Sequence, residues 1–238
     1  MTRINNARPV NGGRGGLVHR YVANVRGQTE VQYLNQGRKD QRHSLLHLPQ
    51  PANDSLCGPW SLLQAVLMLL GWQRSKLIDQ QGGSPPLIRF WQHVHKFCAE
   101  GTTDIQMRQL VDALAPAIGC EITVTRSAKR IGMMASTAIA KGQVPLIRLS
   151  TAKWSHWTSV VGCELPNRGT HPTALLLLDP NAEAPRLSIF NARLELDPAS
   201  KTRPGLELSY LDGGSWRVTI NSIVLVKAST VLTKGIKR

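Results

Sequence analysis

A chain of 238 residues with 42% hydrophobic content is long enough to bury one full core with an extension, or at most two small domains. Its net charge of +14 attracts acidic partners, yet only 5% of its residues are aromatic and no aromatic-basic cluster suited to base stacking occurs, which disfavours a dedicated nucleic-acid role. No apolar stretch reaches the roughly 18 residues that a membrane span requires, so no membrane span is expected.

No apolar run follows Met1, so a Sec-type signal peptide is not expected and the reading is a cytoplasmic protein, with export by a dedicated secretion system as the alternative. Cys57, Cys98, Cys120 and Cys163 lie far apart and are expected to be free thiols in a reducing compartment.

In chain order, residues 1 to about 16 are polar and rich in Gly, Arg and Asn, which predicts a disordered lead-in. Leu17 to Val25 and Gln28 to Leu34, around Gly27, read as a weak hairpin or two short strands, and Asn35 to His43 as a polar linker. Leu45 to Leu48 feeds a turn at Gln50-Pro51. A helix is then predicted from Cys57 to a stop at Gly71: Pro59 suits a first turn, and Leu62, Leu63, Val66, Leu67, Leu69 and Leu70 leave almost no polar face, so the helix is buried.

After a loop ending at Pro86, Leu87 to Ala99 shows apolar residues at helical spacing, and Thr103 with Gln106 reads as a capping box opening another helix. Glu121 to Thr125 alternates like a strand, and Ala128 to Lys141 is a helix stopped by Gly142. Strand signals follow at Val144 to Leu149, Trp157 to Cys163, Ala174 to Leu178, Leu187 to Phe190, Leu206 to Leu211 and Trp216 to Val226. Helices first and strands later predict an α+β fold in which a mostly antiparallel sheet packs on the buried helix.

The chemistry concentrates on Cys57. A thiol where a polar loop becomes a buried helix meets unpaired backbone N–H groups and the helix dipole, an arrangement that favours the thiolate. Such a nucleophile needs a base, and His156 in Trp154-Ser155-His156-Trp157 begins a strand whose following residues are apolar enough to lie in the core. One strand later, Leu175 to Leu178 ends in Asp179-Pro180; if the two strands pair, Asp179 reaches His156, fixes its tautomer and stabilises the imidazolium. Gln50 is the candidate side-chain donor to an oxyanion, beside the Cys57 backbone N–H, with Asn53 as the fallback. His19, His43 and His171 sit in polar or loop contexts, and His47 precedes the proline turn. His93 and His95, two residues apart, point to different sides of a helix, so with Cys98 they read as surface and packing residues rather than metal ligands; no metal or cofactor is expected.

These residues resemble the papain-like cysteine peptidases, and within them the C39-like group related to bacteriocin-leader peptidases. The resemblance rests on Gln50 before Cys57-Gly58-Pro59-Trp60-Ser61-Leu62, on Leu70-Gly71, on Lys141-Gly142-Gln143-Val144-Pro145-Leu146-Ile147, and on His156-Trp157-Thr158-Ser159-Val160-Val161-Gly162 with Asp179-Pro180. It implies a papain-like fold over residues 44–238, preceded by a flexible basic extension over residues 1–43, with Cys57 as nucleophile, His156 as base and Asp179 orienting it. The expected function is a thiol peptidase cleaving a protein or peptide substrate, for which an acidic surface would suit the +14 charge. A bacterial effector or toxin is one biological setting for it. The alternatives are deamidation, transglutamination or acyl transfer by the same triad, or a non-catalytic basic protein that binds protein or nucleic acid.

Overall fold

The computed structural model describes residues 17–22, 25–27, 31–33, 44–51, 55–80, 83–97, 101–166, 169–185, 188–196, 205–211 and 213–229. The lead-in before Leu17 and the linker from Asn35 to His43 lie outside these residues. Local signals place the helices well. The first helix, α1 (Cys57–Leu70), is buried from Cys57 through Met68 and ends at Gly71, whose φ of 61° lets its N–H donate to the Leu67 carbonyl at 3.0 Å. A short α2 (Arg74–Ile78) follows it without having been signalled by the sequence.

α3 (Pro85–Phe97) packs against α4 (Asp104–Ala113), whose start carries the expected capping box: the Thr103 N–H donates to Gln106 Oε1 at 2.7 Å and the Gln106 N–H to Thr103 Oγ1 at 3.2 Å. α5 (Ala128–Ala140) opens on a Ser127 cap. Among the described residues, no helix is long and apolar enough to cross a membrane.

The strands overturn the expected papain-like α+β fold. β6 (Val144–Ser150), β7 (Ser155–Pro166), β8 (Ala174–Leu178), β9 (Ala192–Glu195), β10 (Leu206–Tyr210) and β11 (Ser215–Ala228) pair antiparallel in the ring β7-β6-β11-β10-β9-β8, and β8 returns to β7. The result is a closed six-strand barrel, mostly β, with few helices and two extra strands: β1 (Leu17–Tyr21) on β7 and β5 (Ile118–Val124) on β11. Separately, β2 (Val25–Gly27), β3 (Val31–Tyr33) and β4 (Ser44–Leu45) form a small antiparallel sheet.

Closure depends on the two long strands. β7 offers residues 155–159 to β6, 162–166 to β1 and 159–164 to β8, and β11 similarly serves β10, β6 and β5 in succession. Each has a register shift, between Val160 and Gly162 in β7 and between Ile220 and Ser222 in β11, of the kind that bends a strand round a barrel. A sheet that closes this way leaves no free edge on its six ring strands.

Of the strand expected at Leu187 to Phe190, Leu187 lies outside the described residues and residues 188–190 are not extended into a strand; β9 begins just after them, at Ala192. Its sequence, Ala-Arg-Leu-Glu, reads as polar, but Ala192 and Leu194 face the core while Arg193 grips Glu164 of β7 through Nε at 3.0 Å and Nη2 at 2.8 Å. α1 packs chiefly on β7 and β6, so the predicted buried helix does lie on the sheet, but on the wall of a barrel.

β1 docks on β7 with Tyr21 opposite Gly162, and a Cβ at Gly162 would lie 2.6 Å from Tyr21 Cδ1 and 2.8 Å from the Arg20 carbonyl oxygen. Gly162→Ala is therefore expected to cost about 1–3 kcal/mol through overpacking. Urea denaturation gives the loss, and hydrogen exchange should show it as faster exchange of the β1 amides.

Candidate active site

Cys57 opens α1, and the residues around it fix its surroundings. Pro59 occupies a position whose N–H would have had no helical partner, and no described side chain caps the helix start at Leu56. Cys57 is 6% exposed there. Gly58 next to it admits Thr102: a Cβ at Gly58 would lie 2.6 Å from both Cβ and Oγ1 of Thr102. The Thr102 carbonyl in turn accepts the Trp157 indole N–H at 2.7 Å, which ties the loop before α4 to the helix start and to β7.

Polar contacts in an otherwise apolar interface set how α1 sits on β7. The Trp157 backbone N–H donates to Cys57 Sγ at 3.3 Å. One turn along, the Ser61 hydroxyl donates to the Trp157 carbonyl at 3.1 Å, and the Ser159 hydroxyl lies 3.0 Å from both the Ser61 carbonyl and Gln64 Oε1. Gln64 Nε2 reaches the Leu48 carbonyl at 3.3 Å, so the segment carrying His47 and Gln50 is held by the same helix.

His156 is the second residue of β7, and Asp179 follows the last residue of β8. Because Ser159 pairs with Leu178, the two side chains meet, with His156 Nε2 2.7 Å from Asp179 Oδ1. Cys57 Sγ, held by the N–H of the next residue, Trp157, lies close enough to the same imidazole to raise its pKa. With Nε2 turned to Asp179, Nδ1 is the nitrogen left for the thiol proton.

The Asp179 carboxylate is fully buried, and its other partners are the Asn181 N–H to Oδ1 at 2.8 Å and the Tyr210 hydroxyl to Oδ2 at 2.9 Å. Its backbone is clamped as well: the N–H donates to Asn191 Oδ1 at 2.7 Å, and the carbonyl meets Asn191 Nδ2 at 2.8 Å and His47 Nε2 at 3.0 Å.

These contacts set the charges. Burial acts to raise the Asp179 pKa, but the positive charge of His156 and its hydrogen bond, then the Asn181 and Tyr210 donors, hold the carboxyl below its usual range. Burial likewise acts against an imidazolium at His156; the charge and hydrogen bond of Asp179, followed by Cys57, outweigh it and the pKa is pushed up to about 10. At His47 burial wins over the carbonyl contacts and its pKa falls.

Of the expected residues, Cys57, His156 and Asp179 come together. Gln50 is tied to the loop after Asp179 by its backbone N–H, which donates to the Pro180 carbonyl at 2.7 Å; Asn53 and Cys98 lie outside the described residues. His19 and His171 bond elsewhere, to Tyr21 and Thr170. Among the described residues, no cluster of His, Cys, Asp or Glu is arranged to hold a metal ion.

Tyr210, Asn191, His47 and Thr102 carry no motif that marks them as parts of this site. His47 had read only as the residue before a turn; its one available signal was its place in a buried run, Leu46-His47-Leu48. Compared with known proteins, the chain matches no family model and no curated sequence.

The pKa directions fix the sign of a pH dependence. Folding raises the His156 pKa from an ordinary value near 6.5 to about 10, so this contribution to stability is whole below about pH 6.5 and lost as pH rises through about 10. Asp179, with its lowered pKa, contributes above about pH 4 and loses that contribution as pH falls through its native value. Urea midpoints should therefore be highest between about pH 4 and 6.5, with an alkaline decline no steeper than about 1.4 kcal/mol per pH unit from this group. Asp179→Asn is expected to flatten that decline.

Proposed function

We propose that the chain is a thiol hydrolase acting on a peptide or related amide bond, with Cys57 as nucleophile, His156 as general base and acid, and Asp179 as the residue that orients and charges the imidazole. The observation that carries this reading is one imidazole 2.7 Å from Asp179 Oδ1, with the Cys57 thiol, held at 3.3 Å by the N–H of the neighbouring Trp157, close enough to raise that imidazole's pKa. That is the arrangement of nucleophile, base and orienting group that covalent catalysis requires. The motif resemblance to C39-like cysteine peptidases supports the same chemistry. The barrel is not the fold that resemblance implies, so the residues alone support the proposal.

At rest His156 Nδ1 holds the proton taken from Cys57 in a thiolate–imidazolium ion pair, and in the first half-reaction the thiolate sulfur attacks the substrate carbonyl carbon. The Trp157 N–H aimed at Sγ and the backbone N–H groups of the first turn of α1 offer donors where negative charge develops. Breaking the C–N bond releases the amine, which leaves with the proton from His156, and an acyl-thioester remains on Cys57. Water, or an amine in the transferase version of the same chemistry, then attacks the thioester as His156 removes its proton, and the thiol is restored. The +14 charge supports a substrate with an acidic surface.

Alkylation by iodoacetamide, followed by peptide mass spectrometry, tests the ion pair. Burial pushes the Cys120 and Cys163 thiols up, so they serve as slow internal references. At about pH 6.5 Cys57 is expected to label fastest, and His156→Ala to slow it about tenfold or more. Equal, slow labelling of all three cysteines in both proteins overturns the reading.

A further inference from the structure

A second aromatic feature borders the site and has no part in the proton transfers. The Trp154 ring stands edge-on to the His156 ring with centroids 6.2 Å apart, and the Trp216 ring packs edge-on against Trp154 at 6.1 Å. Trp216 is 53% exposed, a large apolar surface held at a fixed place rather than buried. What fixes it is the β10–β11 hairpin, where Leu208 pairs with Trp216. Two residues beyond Leu208, Tyr210 donates its hydroxyl to Asp179. One hairpin thus holds the Asp179 carboxylate with one strand and carries the exposed indole on the other.

The chemistry says what passes this surface. In the proposed reaction His156 Nδ1 gives its proton to the departing amine and later takes one from the attacking nucleophile, so the amine side of the scissile bond lies on the His156 side of the Cys57 sulfur. The indoles of Trp154 and Trp216 are the ring surfaces in contact with, or one ring removed from, that imidazole. Resting on the thiol-hydrolase reading, we propose that Trp216, backed by Trp154, is the specificity-determining surface for the amine side of the bond and selects an aromatic or large apolar side chain there. An aromatic group can add to the edge-on series His156, Trp154, Trp216, the geometry that aromatic pairs prefer. A glycine or a charged side chain at that place leaves the Trp216 face in water.

The test needs no knowledge of the natural substrate. p-Nitrophenyl acetate acylates Cys57, and the acetyl-thioester is then offered phenylalaninamide or glycinamide. The amine nitrogen attacks the thioester carbon, the C–S bond breaks, and the amine proton passes through His156 to the sulfur. By microscopic reversibility this amine occupies the leaving-group site.

The readout is the ratio of acetyl transfer to phenylalaninamide over glycinamide, compared between proteins so that the intrinsic reactivities of the two amines cancel. Trp216→Ala is expected to lower the ratio about tenfold, and Trp216→Phe to keep most of it. A ratio unchanged in Trp216→Ala overturns the assignment while Cys57-dependent turnover still supports the hydrolase. Absence of turnover that depends on Cys57 overturns the hydrolase reading, and this assignment with it.

Discussion

The site depends on a buried negative charge. The Asp179 carboxylate has no contact with solvent, and a carboxylate in such a place costs several kcal/mol unless opposite charge and hydrogen bonds replace its hydration. Here the replacement is complete: an imidazole at 2.7 Å, a backbone N–H at 2.8 Å and a tyrosine hydroxyl at 2.9 Å. These donors come from β7, from the turn after β8 and from the end of β10. They converge because the barrel is closed and brings those strands round to one end. Barrel closure and the charge state of His156 are therefore linked: loosening one ring strand withdraws a donor from the carboxylate and weakens the charge that holds the imidazole protonated.

Cys57 is positioned by a different device. α1 contributes a nearly continuous apolar surface, and apolar contact alone does not specify how far a helix slides or turns on a sheet. Ser61, Gln64 and Ser159 supply the missing directionality, each bonded across the buried helix-strand interface. Partnered buried polar groups cost little and penalise any other register, since a shift would leave them unsatisfied. With that register held, the Trp157 N–H meets the Cys57 sulfur and the imidazole of the neighbouring residue stands beside the thiol.

Local patterns made much of this legible. Gly71 as a helix stop, the Thr103–Gln106 capping box and the runs at Val144 and Ala174 are signals carried by a few adjacent residues, and each marks an element that forms. That Cys57, His156 and Asp179 could meet was legible because each stands at the end of a predicted element, and the pairing of β7 with β8 brings the last two together. The barrel was not legible. A run such as Ala174 to Leu178 says that a strand is buried, but its two neighbours depend on bulges in β7 and β11 that have no local signature. β9 was missed for the same reason, since Arg193 belongs in a strand only because Glu164 lies across the sheet to receive it.

The sequence by itself determined the described helices other than α2 and the ring strands other than β9, which thiol opens a buried helix, and which histidine and aspartate stand at strand ends, because these follow from periodicity, capping and the order of residues along the chain. Tertiary structure decided the closed barrel, the roles of Tyr210, Asn191 and His47 around Asp179, and the place of Trp216 beside Trp154. Those depend on contacts between residues as many as 132 positions apart, as between His47 and Asp179. Their energy comes from shared burial, and no single segment carries it before the strands have closed.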